Sequence, residues 1–137
     1  MTSLFIDTGF LIALEAQDDQ FHRSALTYWQ NFLTKPRPLV TTSFIIDEVA
    51  TYFNSRGHHR KAIDIGRYLM TSPSVQLIHV DATLFQDAWR WLERHQDKRY
   101  SLTDCVSFVV MKQRKIKVAL TFDKHFFQAG FQMLPVS

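Results

Sequence analysis

Residues 4–14 read Leu-Phe-Ile-Asp-Thr-Gly-Phe-Leu-Ile-Ala-Leu. Three apolar residues stop abruptly at an acid, and an apolar run resumes behind a threonine. The pattern predicts a short strand buried on both faces, Leu4 to Ile6, and such strands belong to parallel sheets. Thr8 is placed to cap a short helix reaching Leu14. Near the other end, Val118 to Phe122 predicts a second strand that also stops at an acid, Asp123. Two parallel strands ending in Asp send both carboxylates to the same edge of a sheet.

Between these ends, strands alternate with helices. A helix capped by Asp18 or Asp19 carries Phe21, Ala25, Tyr28, Trp29, Phe32 and Leu33 at helical spacing, and Pro36 and Pro38 end it. Leu39 to Thr42 reads as a strand. Ser43 is placed as N-cap of a helix with Phe44, Ile45, Val49 and Phe53, and Gly57 stops it. A further helix is expected from about His59 to Met70. Val75 to Val80 is the next strand, and Asp81 caps a helix with Leu84, Phe85, Ala88, Trp89 and Leu92 on one side. Ser101 to Arg114 is another helix, and Phe131 to Val136 an edge strand whose pairing Pro135 limits. The alternation predicts an α/β fold: a central, mainly parallel sheet of four to five strands between two helical layers. Ligands of such folds bind beyond the carboxyl ends of the strands.

Composition narrows the function classes. A chain of 137 residues supports one core, so a single domain over residues 1–137 is expected. Its 46% hydrophobic and 21% charged residues exclude disordered and collagen-like chains. The one cysteine, Cys105, excludes an intrachain disulfide and a multi-cysteine zinc site. No apolar stretch is long enough to cross a bilayer, and the N-terminus lacks the basic start and long apolar run of a secretory signal. A cytoplasmic protein that does not engage a membrane is expected.

Two more acids sit early in helices that follow loops. Glu48 lies about one turn inside the helix after Leu39–Thr42, and Asp104 three residues after Ser101. Each acid has a structural reading. Asp7 fits a strand end, Asp104 a capping box with Ser101, and Asp123 a turn or helix cap. Glu48, among Phe44, Ile45 and Val49, needs a partner, whereas its neighbour Asp47 suits solvent. The common placement of all four points to a site. Four carboxylates at one edge repel each other, and a divalent cation relieves the repulsion. Oxygen donors without a Cys or His cluster suit Mg²⁺ or Mn²⁺.

Four segments carry a resemblance: Ile-Asp-Thr-Gly-Phe-Leu-Ile-Ala-Leu at 6–14, Thr-Ser-Phe-Ile-Ile-Asp-Glu-Val at 42–49, Ser-Leu-Thr-Asp-Cys-Val-Ser-Phe at 101–108 and Leu-Thr-Phe-Asp-Lys-His-Phe at 120–126. In this order and spacing the sequence resembles PIN-domain ribonucleases, more narrowly the VapC-type toxins of toxin–antitoxin pairs. The resemblance implies a PIN-like α/β/α sandwich with Asp7, Glu48 and Asp104 as catalytic metal ligands. Asp123 matches the fourth acid, which often acts through water, and Thr8 and Thr121 match small hydroxyl residues beside the site. It implies Mg²⁺- or Mn²⁺-assisted hydrolysis of RNA, water attacking phosphorus in line to leave 5′-phosphate and 3′-hydroxyl ends. No histidine base is then required. An antitoxin partner and a homodimer are implied as well.

Charge arithmetic supports an RNA substrate. Taking the −4 of the four acids from the net +3 leaves +7 on the rest of the chain. Arg56, His59, Arg60 and Lys61 are candidates for RNA contact or antitoxin docking, and Lys124 and His125 for contact with a phosphate. The cations from Lys112 to Lys117 read as a solvated helix end. Trp29, Phe32, Phe53, Phe85 and Trp89 read as core, Phe10 and Trp91 as interface candidates, and Cys105 as a buried small residue.

Other readings are weaker. A non-catalytic RNA- or protein-binding domain leaves the acids unexplained, and a free-standing RNA-processing nuclease differs only in lacking an antitoxin. A phosphatase using Asp7 as nucleophile wants an acid where Gly9 stands, and a receiver domain wants an acid pair and a lysine loop that are not evident.

Overall fold

The first strand, β1 (Leu4–Ile6), is wholly buried, as is β2 (Leu39–Thr42). Strands buried on both faces need cover on both faces, and the intervening segments are long enough to supply it as helices. The computed structural model describes residues 2–136. After β1 come α1 (Thr8–Glu15) and α2 (His22–Thr34); after β2 come α3 (Ser43–Ser55) and α4 (His59–Thr71). Then follow β3 (Val75–Ile78), α5 (Ala82–Arg94), α6 (Leu102–Gln113), β4 (Val118–Leu120), the one-turn α7 (His125–Gln128) and β5 (Gln132–Leu134).

The five strands form one sheet in the order β3-β2-β1-β4-β5, and every pairing is parallel. The expected α/β architecture is the observed one, at the upper end of the expected strand number. The chain winds outward from β1 to β3 and then returns to place β4 on the other flank of β1. The winding direction therefore reverses between β1 and β4, which pair Phe5 with Ala119 and Ile6 with Leu120. The crevice beyond such a reversal is where ligands of open α/β sheets sit.

α6 is the central helix. From Asp104 to Met111 every residue is buried, so the run Cys105-Val-Ser-Phe-Val-Val-Met packs on all sides, as a helix apolar all round must. Its Phe108 ring meets Trp91, Tyr100, Phe126 and Phe131.

Several local expectations are corrected. Thr42, not Ser43, caps α3, accepting from the Ile45 N–H; the Ser43 hydroxyl instead accepts from Val80 N–H. Asp7 rather than Thr8 stands at the N-cap of α1, and Asp19 accepts from Phe21 N–H in the turn before α2. Strands β3 and β4 stop two residues early, because Val80 and Asp123 turn to bond with hydroxyls instead of a neighbouring strand. Phe85 and Trp89 are not core: both are exposed on α5, 40% and 47%, because that helix buries Leu84 and Ala88 instead. Phe10, an interface candidate, is fully buried among Tyr28, Trp29 and Phe122. Trp91 packs between His95 and Phe108, and its indole N–H is buried with no partner among the described residues.

Candidate active site

Asp7 leaves the end of β1 in extended conformation, and its backbone N–H still donates to Leu120 of β4 at 3.0 Å. Its carboxylate caps nothing in α1. Instead it accepts a 2.8 Å hydrogen bond from the Thr121 hydroxyl. The same hydroxyl accepts from Asp123 N–H at 3.0 Å, so one threonine ties together the acids that end two adjacent strands.

Glu48 has the partner that its apolar surroundings require. The Thr8 hydroxyl donates to its Oε1 at 2.6 Å, while Asp47 is exposed. Asp104 reconciles its two readings. The capping box is real, with Ser101 and Asp104 each bonding the other's backbone N–H, yet the carboxylate also faces the acids beyond the strands. Its Oδ2 accepts from Ser101 N–H and lies 3.0 Å from His125 Nδ1.

His125 is what a reading of the sequence underrated. It was a candidate phosphate contact, but the structure puts its ring between two acids, 3.0 Å from Asp104 and 3.3 Å from Asp123. The signal was the spacing Asp123-Lys-His125. An acid that accepts the N–H of the residue two positions on, here at 2.9 Å, folds that side chain back beside itself. The Tyr100 ring stands edge-on against the imidazole. Lys124 is exposed and has no carboxylate within 4.0 Å among the described residues.

Burial pushes the Asp7 carboxyl up to about 7, and the nearby charges of Asp104 and Asp123 add to the rise; the Thr121 hydrogen bond and the Thr8 backbone N–H oppose it. Asp104 is raised by burial and by Asp123, against its bonds with His125 and Ser101. Burial first and repulsion between the acids second disfavour the charged carboxylates, and a bound cation would relieve both. The donor set fits one. Ligand atoms of Asp104, Asp123 and His125 lie within 4.8 Å of one another. For Glu48, Asp104 and Asp123, hydrogen bonds from described residues engage one carboxylate oxygen and leave the other. The N-termini of α1, α3 and α6 face the same edge and add partial positive charge.

A family model described as PIN domain matches residues 4–132. The chain belongs to the PIN domain family. It is 37% identical over 128 residues to the "23S rRNA-specific endonuclease VapC20" of Mycobacterium tuberculosis, covering 93% of this chain and 95% of that one. The crystal structure of that protein, described as a sarcin–ricin loop cleaving toxin, superposes with a TM-score of 0.84 at 36% identity, over 93% of this chain and 95% of that chain. Two solved structures are similar in fold alone. A toxin–antitoxin complex from Klebsiella pneumoniae has a TM-score of 0.62 at 14% identity, over 90% and 89% of the two chains. FitAcB from Neisseria gonorrhoeae has 0.64 at 15%, over 95% of each.

The remaining PIN-site candidates lie apart from the acids. Arg56 stacks on the Tyr52 ring at 3.7 Å, His59 bonds Asn54, Arg60 pairs with Asp64, and Lys61 donates to the Glu15 carbonyl at the end of α1. Arg56 follows Glu48 by eight residues, about 12 Å along the axis of α3. Cys105 is buried, and burial with the adjacent Asp104 charge pushes its thiol up to about 11, so it offers no thiolate at neutral pH. No helix among the described residues is long and apolar enough to cross a membrane.

Proposed function

We propose that this chain is a divalent-metal-dependent endoribonuclease and the toxin of a toxin–antitoxin pair, with residues 1–137 as one PIN domain. The observation that carries the reading is the cluster of Asp7, Asp104 and Asp123 beyond the β1/β4 reversal, with Glu48 bonded to the threonine that follows Asp7, in a chain 37% identical to a ribosomal RNA endonuclease over nearly its whole length. In this reading Asp7, Glu48, Asp104 and Asp123 hold Mg²⁺ or Mn²⁺. The ion supplies Lewis-acid charge against the scissile phosphate and acidifies the attacking water. The protein's part is orientation. Thr121 and Thr8 hold Asp7 and Glu48, and Ser101 with His125 holds Asp104, which would fix these carboxylates before an ion binds. A protein partner that blocks this edge, and a second copy of the chain, complete the proposal; VapC20 is itself named as a toxin.

The test is cleavage of a 23S rRNA fragment containing the sarcin–ricin loop, by the purified chain with Mg²⁺ or Mn²⁺. Asp104→Asn keeps the shape of the cap and removes a ligand charge. It should lose more than the roughly 10–100-fold typical of outer-shell partners. Undiminished cleavage by Asp104→Asn and by Asp7→Asn would overturn the assignment.

A further inference from the structure

At the opposite edge of the sheet, where the strands begin, lies a cavity of about 460 Å³ whose lining includes Arg37, Arg114, Lys115 and Lys117, with polar and apolar neighbours and, among the described residues, no Asp or Glu. Its size is that of a ligand site. The four cations come from three places: Arg37 from the loop before β2, Arg114 and Lys115 from the residues just past α6, and Lys117 from the approach to β4. Cations at a helix C-terminus complement its dipole, but that accounts for Arg114 and Lys115 only. None of the four has a carboxylate within 4.0 Å among the described residues. Arg37 is held in place by donating to the Thr2 carbonyl at 2.9 Å.

Lys115 adds a second observation. It follows the C-cap of α6 with φ +57, and Ile116 N–H reaches back to the Met111 carbonyl at 2.9 Å. That is the position of a Schellman turn where glycine is the relaxed choice. A lysine there accepts backbone strain that glycine would avoid and contributes a charge at the cavity. Four like charges converging without an acid favour an anion, just as four acids favour a cation. No aromatic side chain lines the cavity, so it offers nothing on which a base stacks.

We propose that this cavity is a second RNA contact, binding the phosphodiester backbone of the substrate outside the cut site. The inference rests on the endoribonuclease reading. Strands of three to four residues separate the two edges, about 10–13 Å at 3.3 Å per residue. A stacked strand rising about 3.4 Å per nucleotide reaches both only when several nucleotides flank the cut.

The test compares wild type with the triple variant Arg114→Gln/Lys115→Gln/Lys117→Gln, and with Lys117→Gln alone as a milder change. Two RNAs are used, a hairpin of about 30 nucleotides and a fragment of about six spanning the cut, both too simple to need ribosomal proteins. Affinity is measured in an Asp104→Asn background across a KCl series. The triple variant should bind the hairpin at least about tenfold more weakly, with a salt slope reduced by about two, while kcat/KM on the short fragment is unchanged. Lys117→Gln should lower the slope by just under one. Equal hairpin affinity and slope in all three proteins overturns the inference, and so does equal loss on both RNAs. If wild type cuts neither RNA, the nuclease reading falls, and the binding comparison still decides whether this edge holds RNA. An acidic protein bound here in place of RNA would appear as unchanged hairpin binding, which also overturns it.

Discussion

At the carboxyl edge of the sheet Asp7 and Asp104 are buried, and each acid is gripped by a hydroxyl, a backbone N–H or an imidazole. At the amino edge Arg114, Lys115 and Lys117 stand in solvent with no carboxylate partner among the described residues. The two edges oppose each other in sign and in construction. Like charges in water repel weakly, so the basic edge needs little scaffolding. Like charges out of water repel strongly, so each member of the acidic edge has a support, and a bound cation would relieve the repulsion that remains. Buried geometry is fixed before a ligand arrives, which suits chemistry; exposed charge tolerates variable partners, which suits holding a long polyanion.

The largest effect expected from breaking a support is at His125. Its ring lies against the carboxylates of two of the acids, Asp104 and Asp123. His125→Ala should lower Mn²⁺ affinity by roughly 10–100-fold in calorimetry, with a parallel fall in cleavage. His125→Gln, which can still donate to Asp104, should recover part of both. Unchanged Mn²⁺ affinity in the alanine variant would show that the acids are held without it.

The next effect is on stability and follows from Asp7. Its carboxyl is raised from 3.8 to about 7 by burial first and by Asp104 and Asp123 next. The folded, metal-free protein therefore keeps a proton that the unfolded chain has already released. Its contribution to stability is fully present below pH 4 and is lost as pH rises to about 7. The difference is on the order of a few kcal/mol. Asp7→Asn removes the titration, so urea denaturation in EDTA should show the variant gaining on wild type between pH 5 and pH 8. A constant offset across that range would mean that burial does not penalise the charge. Added Mn²⁺ should stabilise wild type more at pH 8 than at pH 6, because it competes with that proton.

The acidic edge was legible in the sequence and the basic one was not, for a physical reason. Leu4–Ile6 and Val118–Leu120 stop at acids, and strand polarity alone then sends Asp7 and Asp123 to one edge. Element order put Glu48 and Asp104 near the starts of helices facing the same way. The basic cavity is assembled from Arg37, Arg114 and Lys117, which no repeating pattern connects; only the sheet order brings the start of β4 beside the loop before β2, across β1. His125 escaped because its place depends on a side-chain turn at Asp123, not on periodicity. Phe85 and Trp89 misled because spacing marks an apolar stripe without saying how wide the buried part of it is.

The smallest effect expected is at Lys115, and it sharpens the comparison most closely. Glycine accepts φ +57 without strain, so Lys115→Gly relieves about 1 kcal/mol in the folded state and returns part of it through the freer unfolded chain. The net gain should be a few tenths of a kcal/mol, read as a higher denaturation midpoint with an unchanged slope. The same change removes one cation, so the salt dependence of hairpin binding should fall by just under one. Stability and RNA binding should thus move in opposite directions. Asp7→Asn makes the same trade above pH 7 at the other edge, gaining stability while losing the ligand charge. The basic edge, built cheaply in solvent, would then still hold one residue at a stability cost that only binding explains. A Lys115→Gly protein that is less stable than wild type would leave the lysine as an ordinary helix-end residue and confine such trade-offs to the buried edge.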